Sequence, residues 1–280
     1  MGIDRNLHMI LGNDLDDLTL SASPAPVATL PETNMQKQAR GKIMRVNGTS
    51  VAITANRPTV AAYASGFGLA RHNLKNSSTV RLRLYDDQNQ TGNVVYDSTA
   101  LSVGTPIPWG VMRAGIDTWG ANYEDDSGLP AIFSLWFDAV AYRSLQIDVS
   151  APDNTDIDIG RLFMGWAFAP TVNFNYGSAF ELIDNSKHTR TAGGSLRTEN
   201  VEAYRRASVD LQWLTDIDRE RLSHELAKAT KGGDILLSLD PGLGGRLGLE
   251  QTMIAKRVNN STFTPRFSNT NSTKLTFEEV

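Results

Sequence analysis

Apolar and polar positions alternate most regularly near the start of the last third of the chain. Between Val201 and Trp213, Ala207, Val209, Leu211 and Trp213 fall on one face, and Ser208, Asp210 and Gln212 on the other. A period of two predicts a half-buried strand. The period then lengthens. Thr215 is a good N-cap for a helix over Asp216–Thr230 that stops at Gly232–Gly233, with Leu222, Leu226 and Ala229 as a narrow apolar stripe. Asp216 and Asp218 occupy its first turn and Lys228 and Lys231 its far end, each where the helix dipole favours its charge. A strand at Ile235–Leu239 runs into the turn Asp240-Pro241-Gly242. Further short strands follow, the last at Lys274–Glu279.

Upstream the pattern is almost wholly β. Val80, Leu82 and Leu84 alternate with Arg81, Arg83 and Tyr85, a strand with arginines on its wet side. Asp86–Asn93 reads as a polar turn and Val94–Asp97 as the returning strand. Ile132–Ser150 is dense in strand formers, with Leu145, Ile147 and Val149 on one face. Ile157–Phe168 is expected to continue the sheet, with Leu162, Met164, Trp166 and Phe168 together. Ser21–Pro31 holds three prolines among small residues, so residues 1–34 read as an extended entry arm. The expected organisation is therefore an arm over 1–34, a β-sandwich over 35–168 and an α+β unit over 169–280, divided near Ala169-Pro170. The fold class is mainly β with one main helix.

Composition narrows the function. The 280 residues carry a formal charge of −4 with acids and bases mixed, which provides no basic field for holding nucleic acid. There is no cysteine, so disulfides, thiolate metal sites, iron–sulfur clusters and cysteine nucleophiles are excluded. No run of about eighteen apolar residues occurs, so no helical membrane span is expected, and Met1–Ile10 does not read as a targeting signal.

Candidate chemistry is sparse. His8, His72, His188 and His224 are scattered and no Gly-x-Ser-x-Gly elbow accompanies them, so no catalytic residue is assigned and an enzyme is not expected. The glycine-rich run Gly242–Gly248 follows a strand but lacks the phosphate-loop ending, and reads as a mobile loop. Asp153, Asp156 and Asp158 place carboxylates at near-alternate positions in a turn, a pattern that suits calcium, although the EF-hand glycine and terminal glutamate are missing. The plain alternative is an acidic surface turn. Trp109, Trp119 and Tyr123 lie in the loop-like segment Gly104–Pro130, where rings stack on sugars, anchor an interface or cap the core. Trp136, Trp166 and Trp213 lie within strands and are expected in the core. Asp125 and Asp126 are the carboxylates a hydrolase would use.

Two stretches carry a resemblance. Ala141-Tyr142-Arg143-Ser144-Leu145-Gln146-Ile147-Asp148-Val149-Ser150, followed by Ile159–Gly165, resembles the closing strands of a galactose-binding-like sandwich found in virion proteins. Ser186-Lys187 through Gly193-Gly194, then Tyr204-Arg205, Leu211-Gln212-Trp213-Leu214 and Lys274–Glu279, is similar to tail proteins of bacteriophages. Over roughly two thirds of its length the chain resembles the tail-tip, or baseplate, structural proteins of long, flexible-tailed phages. That resemblance implies a galactose-binding-like sandwich followed by a tail-tube-like α+β domain that forms a homo-oligomeric ring. It implies synthesis in the host cytoplasm, a final place at the virion's tail tip, and other tail proteins as partners. It transfers no catalytic residue and no cofactor. The competing expectation is a carbohydrate-binding module that holds a host-surface glycan through Trp109, Trp119 and Tyr123.

Overall fold

The computed structural model describes residues 6–58, 60–104, 107, 109–116, 131–243, 245–267 and 269–280. Trp119, Tyr123, Asp125 and Asp126 lie outside these residues. The strands are β1 (His8–Ile10), β2 (Thr19–Ser23), β3 (Met44–Asn47), β4 (Ser50–Asn56), β5 (Ala62–His72), β6 (Thr79–Tyr85), β7 (Val94–Asp97), β8 (Leu101–Ser102), β9 (Ile132–Tyr142), β10 (Ser144–Ser150) and β11 (Asp156–Gly165). They continue as β12 (Ala179–Ile183), β13 (Lys187–Arg190), β14 (Leu196–Glu199) and β15 (Tyr204–Thr215), then helix α1 (Asp216–Ala229). The chain closes with β16 (Ile235–Ser238), the short helix α2 (Gly245–Glu250), β17 (Thr252–Arg257), β18 (Thr264–Phe267) and β19 (Thr270–Glu279). Two compact units result. One is the chain up to Ala169 together with Leu236–Met253; the other is Pro170–Ile235 together with Ile254–Val280.

The first unit is a β-sandwich. One sheet runs β2-β4-β10-β6-β7, with β8 beside β6, and the other runs β3-β11-β5-β9. All these pairs are antiparallel. Inward positions alternate as the pattern requires: Val80, Leu82 and Leu84 on β6 pack with Leu145, Ile147 and Val149 on β10, and with Val51 and Ile53 on β4. Ile157, Ile159, Leu162 and Met164 complete the core from β11. The strand formers of 132–150 divide between the sheets at Arg143, so β9 lies in one layer and β10 in the other. The arginines of β6 stay on the wet side and pair there, Arg83 with Asp148 at 2.5 Å and Arg81 with Asp97 at 2.5 Å.

Residues 6–34 are not an arm. β2 pairs with β4 along Thr19–Ser23, and Leu7, Met9, Ile10, Leu15 and Leu20 are buried. The proline segment is fastened as well, with Val27 N donating to Arg45 O at 2.8 Å and Arg45 N to Leu30 O at 3.1 Å. Prolines take away donors but leave carbonyls, so a proline-rich strap can still be held by a neighbouring strand. Residues 236–253 also depart from the expected division. β16 pairs with β1, Met9 opposite Leu237, so the N-terminal strand draws this later segment into the first unit. Part of the expected glycine loop is helical as α2, followed by Thr252 donating through Oγ1 to Gly248 O at 3.0 Å.

The second unit is a sheet in the order β12-β15-β19-β17, with β18 beside β19 and α1 packed against β15 and β19. Thr215 caps α1, its Oγ1 accepting from Asp218 N at 3.1 Å. Leu222 and Leu226 are buried, while Ile217 stands in solvent. Arg205 and Glu279 fasten β15 to the C-terminal end of β19, with Arg205 Nε donating to Glu279 Oε2 at 2.8 Å.

Two of the expected core tryptophans are not in the core. Trp136 is buried, but Trp166 is 48% exposed and Trp213 47% exposed. Trp166 follows the last residue of β11, where strict alternation no longer applies. Trp213 is displaced by a β-bulge: Leu211 opposes Thr273 but Leu214 opposes Asn271, so β15 carries one extra residue. Leu214 therefore takes the core position that uninterrupted alternation assigns to Trp213.

Candidate functional site

The hairpin β13–β14 is the least supported element of the second unit. Lys187 faces Glu199, His188 faces Thr198, Thr189 faces Arg197 and Arg190 faces Leu196. All four residues of each strand are exposed. Among the described residues the two strands form a sheet only with each other. The sequence explains this. Residues 184–203 contain no run of alternating apolar residues, so neither face can be buried on a core of its own.

The hairpin is nevertheless well tied internally. At its root, Ser186 N donates to Asp184 Oδ1 at 2.8 Å and Val201 N donates to Ser186 Oγ at 3.1 Å. Hydrogen bonds from the Ser186 side chain and backbone N–H hold the Asp184 carboxyl below its ordinary value. At the tip, Thr191 N donates to Ser195 O at 2.9 Å, and Gly194 takes φ +85°, a conformation that favours glycine. Beside the root stands β12, the end strand of its sheet, with Phe180 and Leu182 exposed. An open strand end and an exposed hairpin offer backbone donors and acceptors to another chain.

The other candidates separate. Trp109 is 75% exposed, which removes it from the core; Trp119 and Tyr123 lie outside the described residues. Asp153, Asp156 and Asp158 do not converge as ligands. Arg45 takes both oxygens of Asp158, through Nε at 2.7 Å and Nη2 at 2.6 Å. Lys75 Nζ donates to Asp153 O at 2.6 Å, which brings a cation to the turn from the protein itself. Among the described residues no group of three or more His, Asp or Glu side chains is arranged to hold a metal. The calcium expectation therefore finds a strand-pairing ion pair instead. Alternation within β11 places Asp158 opposite Arg45 of β3, a juxtaposition that spacing alone does not reveal.

The histidines serve local contacts. His188 Nδ1 lies 2.9 Å from Thr198 Oγ1 across the hairpin, His224 Nδ1 lies 3.3 Å from Glu225, and His8 packs against Trp136 with ring centroids 5.1 Å apart. Burial raises the Tyr142 phenol well above its ordinary value, and the adjacent Asp14 adds to the effect.

No protein-family description and no curated protein matches the chain. Solved structures are similar over about half of the chain. A chitosan-binding module from a chitosanase/glucanase of Paenibacillus sp. IK-5 has a TM-score of 0.38 and 11% identity, over 55% of this chain and 98% of the module. The family 32 carbohydrate-binding module of Clostridium perfringens NanJ, in complex with galactose, has a TM-score of 0.34 and 10% identity, over 52% of this chain and 92% of its own. The lectin domain of lectinolysin has a TM-score of 0.36 and 10% identity, over 54% and 93% respectively. These are likenesses of fold.

Proposed function

We propose that this chain is a non-enzymatic structural protein that assembles with copies of itself into a ring at the distal tip of a bacteriophage tail. The ring joins the tail tube to receptor-binding components. The observation that carries the reading is the hairpin Lys187–Glu199, every strand residue of which is exposed. An isolated two-stranded hairpin is marginal in water, so a well-tied one with both faces bare is suited to pairing with another subunit. The open side of β12 beside it, with Phe180 and Leu182, extends the same surface with apolar anchors. The resemblance of Ser186–Gly194, Leu211–Leu214 and Lys274–Glu279 to phage tail proteins supplies the setting. The protein is made in the host cytoplasm and works in the virion.

The test replaces residues 187–199 by a short Gly-Ser link and images both proteins by electron microscopy. The full chain is expected as closed rings and the shortened chain as separate subunits. Rings that persist without the hairpin would overturn the assignment of that contact.

A second reading, a carbohydrate-binding module that aids attachment to the host surface, is favoured by one observation: Trp109 stands three-quarters in solvent. An exposed indole on a sandwich loop is suited to stacking on a sugar face. Glycan-array binding lost in Trp109→Ala would support this reading. An array response unchanged by that substitution would remove Trp109 from it.

A further inference from the structure

Two β-bulges sit on strands that flank β19. In β15 one residue is inserted between Leu211 and Leu214, and in β18 one is inserted between Pro265 and Phe267. A bulge turns neighbouring side chains towards one face of the sheet and fixes their direction. Here the consequence is a pair of aromatic rings across β19. Trp213 and Phe267 have centroids 6.1 Å apart and planes within 7° of parallel. They are 47% and 67% exposed, while Leu211 and Leu214 fill the core on the opposite face.

The residues next to these rings form a polar chain. Arg266 Nη1 donates to Gln212 Oε1 at 2.9 Å, and Gln212 Nε2 donates to Asp210 Oδ2 at 2.7 Å. The amide is held at both ends and so has a fixed orientation. A guanidinium has five N–H groups and a carboxylate about four lone-pair sites, so Arg266 and Asp210 keep hydrogen-bonding capacity beyond these two bonds.

We propose that Trp213, Phe267, Asp210, Gln212 and Arg266 form a saccharide-binding platform for one pyranose unit of a surface polysaccharide. All five residues belong to the second unit. Size and polarity select the ligand. Each ring carries on the order of 200 Å² of surface, about half of it exposed here. That is far below the roughly 800 Å² per partner that a stable protein interface needs, and it matches the face of a sugar ring. A protein partner covering the site would also strip water from the Asp210–Gln212–Arg266 chain without assured replacement bonds. Sugar hydroxyls both donate and accept, so they can satisfy the carboxylate and the guanidinium together.

The test applies the full chain to a glycan array, with titration calorimetry on the best-responding oligosaccharide. Binding to at least one hexopyranose probe is expected. Trp213→Ala should weaken it at least tenfold, and Phe267→Ala or Arg266→Ala severalfold, with Trp109→Ala without effect. Urea unfolding of each variant shows whether the fold is intact. Phe267→Ala supplies the readout if Trp213→Ala is destabilised. No array response overturns the proposal, as does a response lost in Trp109→Ala but retained in Trp213→Ala. Loss of self-association in Trp213→Ala, with no glycan bound by the full chain, would show a protein contact instead and would equally overturn it.

Discussion

Arg161 gives the sharpest energetic test of how the N-terminal segment is held. It lies on β11 with its side chain fully enclosed, and it donates two hydrogen bonds to Asp16, at 2.5 and 2.7 Å. A third reaches Met35 O at 3.3 Å, and the guanidinium lies over the Phe163 ring at 5.1 Å. Asp16→Ala removes the carboxylate and leaves the cation inside. Removing one partner of a buried pair costs about 3–5 kcal/mol. The Asp16 side chain is 34% exposed, so water reaches the pair from one side and the expected loss is near the lower end, about 3 kcal/mol. Arg161→Met removes the buried charge, keeps most of the aliphatic volume and leaves Asp16 able to face water, for about 1–2 kcal/mol. The double variant should resemble Arg161→Met alone, because the stranded charge is gone. Urea unfolding at unchanged slope measures all three. If Asp16→Ala cost no more than Arg161→Met, or the two losses simply added, the buried-charge account of this contact would fail.

Four further outcomes follow from particular contacts. Leu214→Ala should cost about 2–5 kcal/mol as a core truncation, and Trp213→Ala clearly less; the reverse order in urea would place Trp213 in the core. Arg81 hydrogen bonds to Asp97 and holds its carboxyl at about 2, below its ordinary 3.8. That stabilisation is present above about pH 4 and is lost as the pH falls towards 2. Asp97→Asn should therefore flatten the acid limb of stability, and a titration of Asp97 near 4 by NMR would contradict this. Gly165→Ala would set a methyl carbon 2.7 Å from Gly12 O and 3.2 Å from Ile10 Cγ2, for a loss of about 1–3 kcal/mol by thermal unfolding; no loss would mean the N-terminal strand is not packed there. Thr215→Ala should cost about 1 kcal/mol by removing the α1 cap, and a Thr215→Ser variant should recover most of it.

The sequence was most legible where one period ran undisturbed. Val80, Leu82 and Leu84 on β6 and Leu145, Ile147 and Val149 on β10 face the core as alternation requires. Thr215 caps the helix that its position suggests. Legibility failed where a tertiary partner outweighed the local pattern. Trp213 continues the alternation of Ala207, Val209 and Leu211, and only the pairing with β19 reveals the inserted residue that turns it outward. Residues 19–23 look like a tether because prolines follow them, yet β4 offers a paired edge. Asp158 reads as a ligand in sequence because Arg45, which takes its charge, lies far away in the chain. The hairpin β13–β14 carries no alternating apolar pattern, in keeping with strand residues that are all exposed.

Mass photometry of the full chain beside the chain lacking residues 187–199 tests the central claim most directly. The full chain is expected as a single closed assembly whose mass is a whole multiple of 30.6 kDa, and the shortened chain as one subunit. A full chain that stays at 30.6 kDa at every concentration, or a shortened chain that assembles just as well, would contradict it.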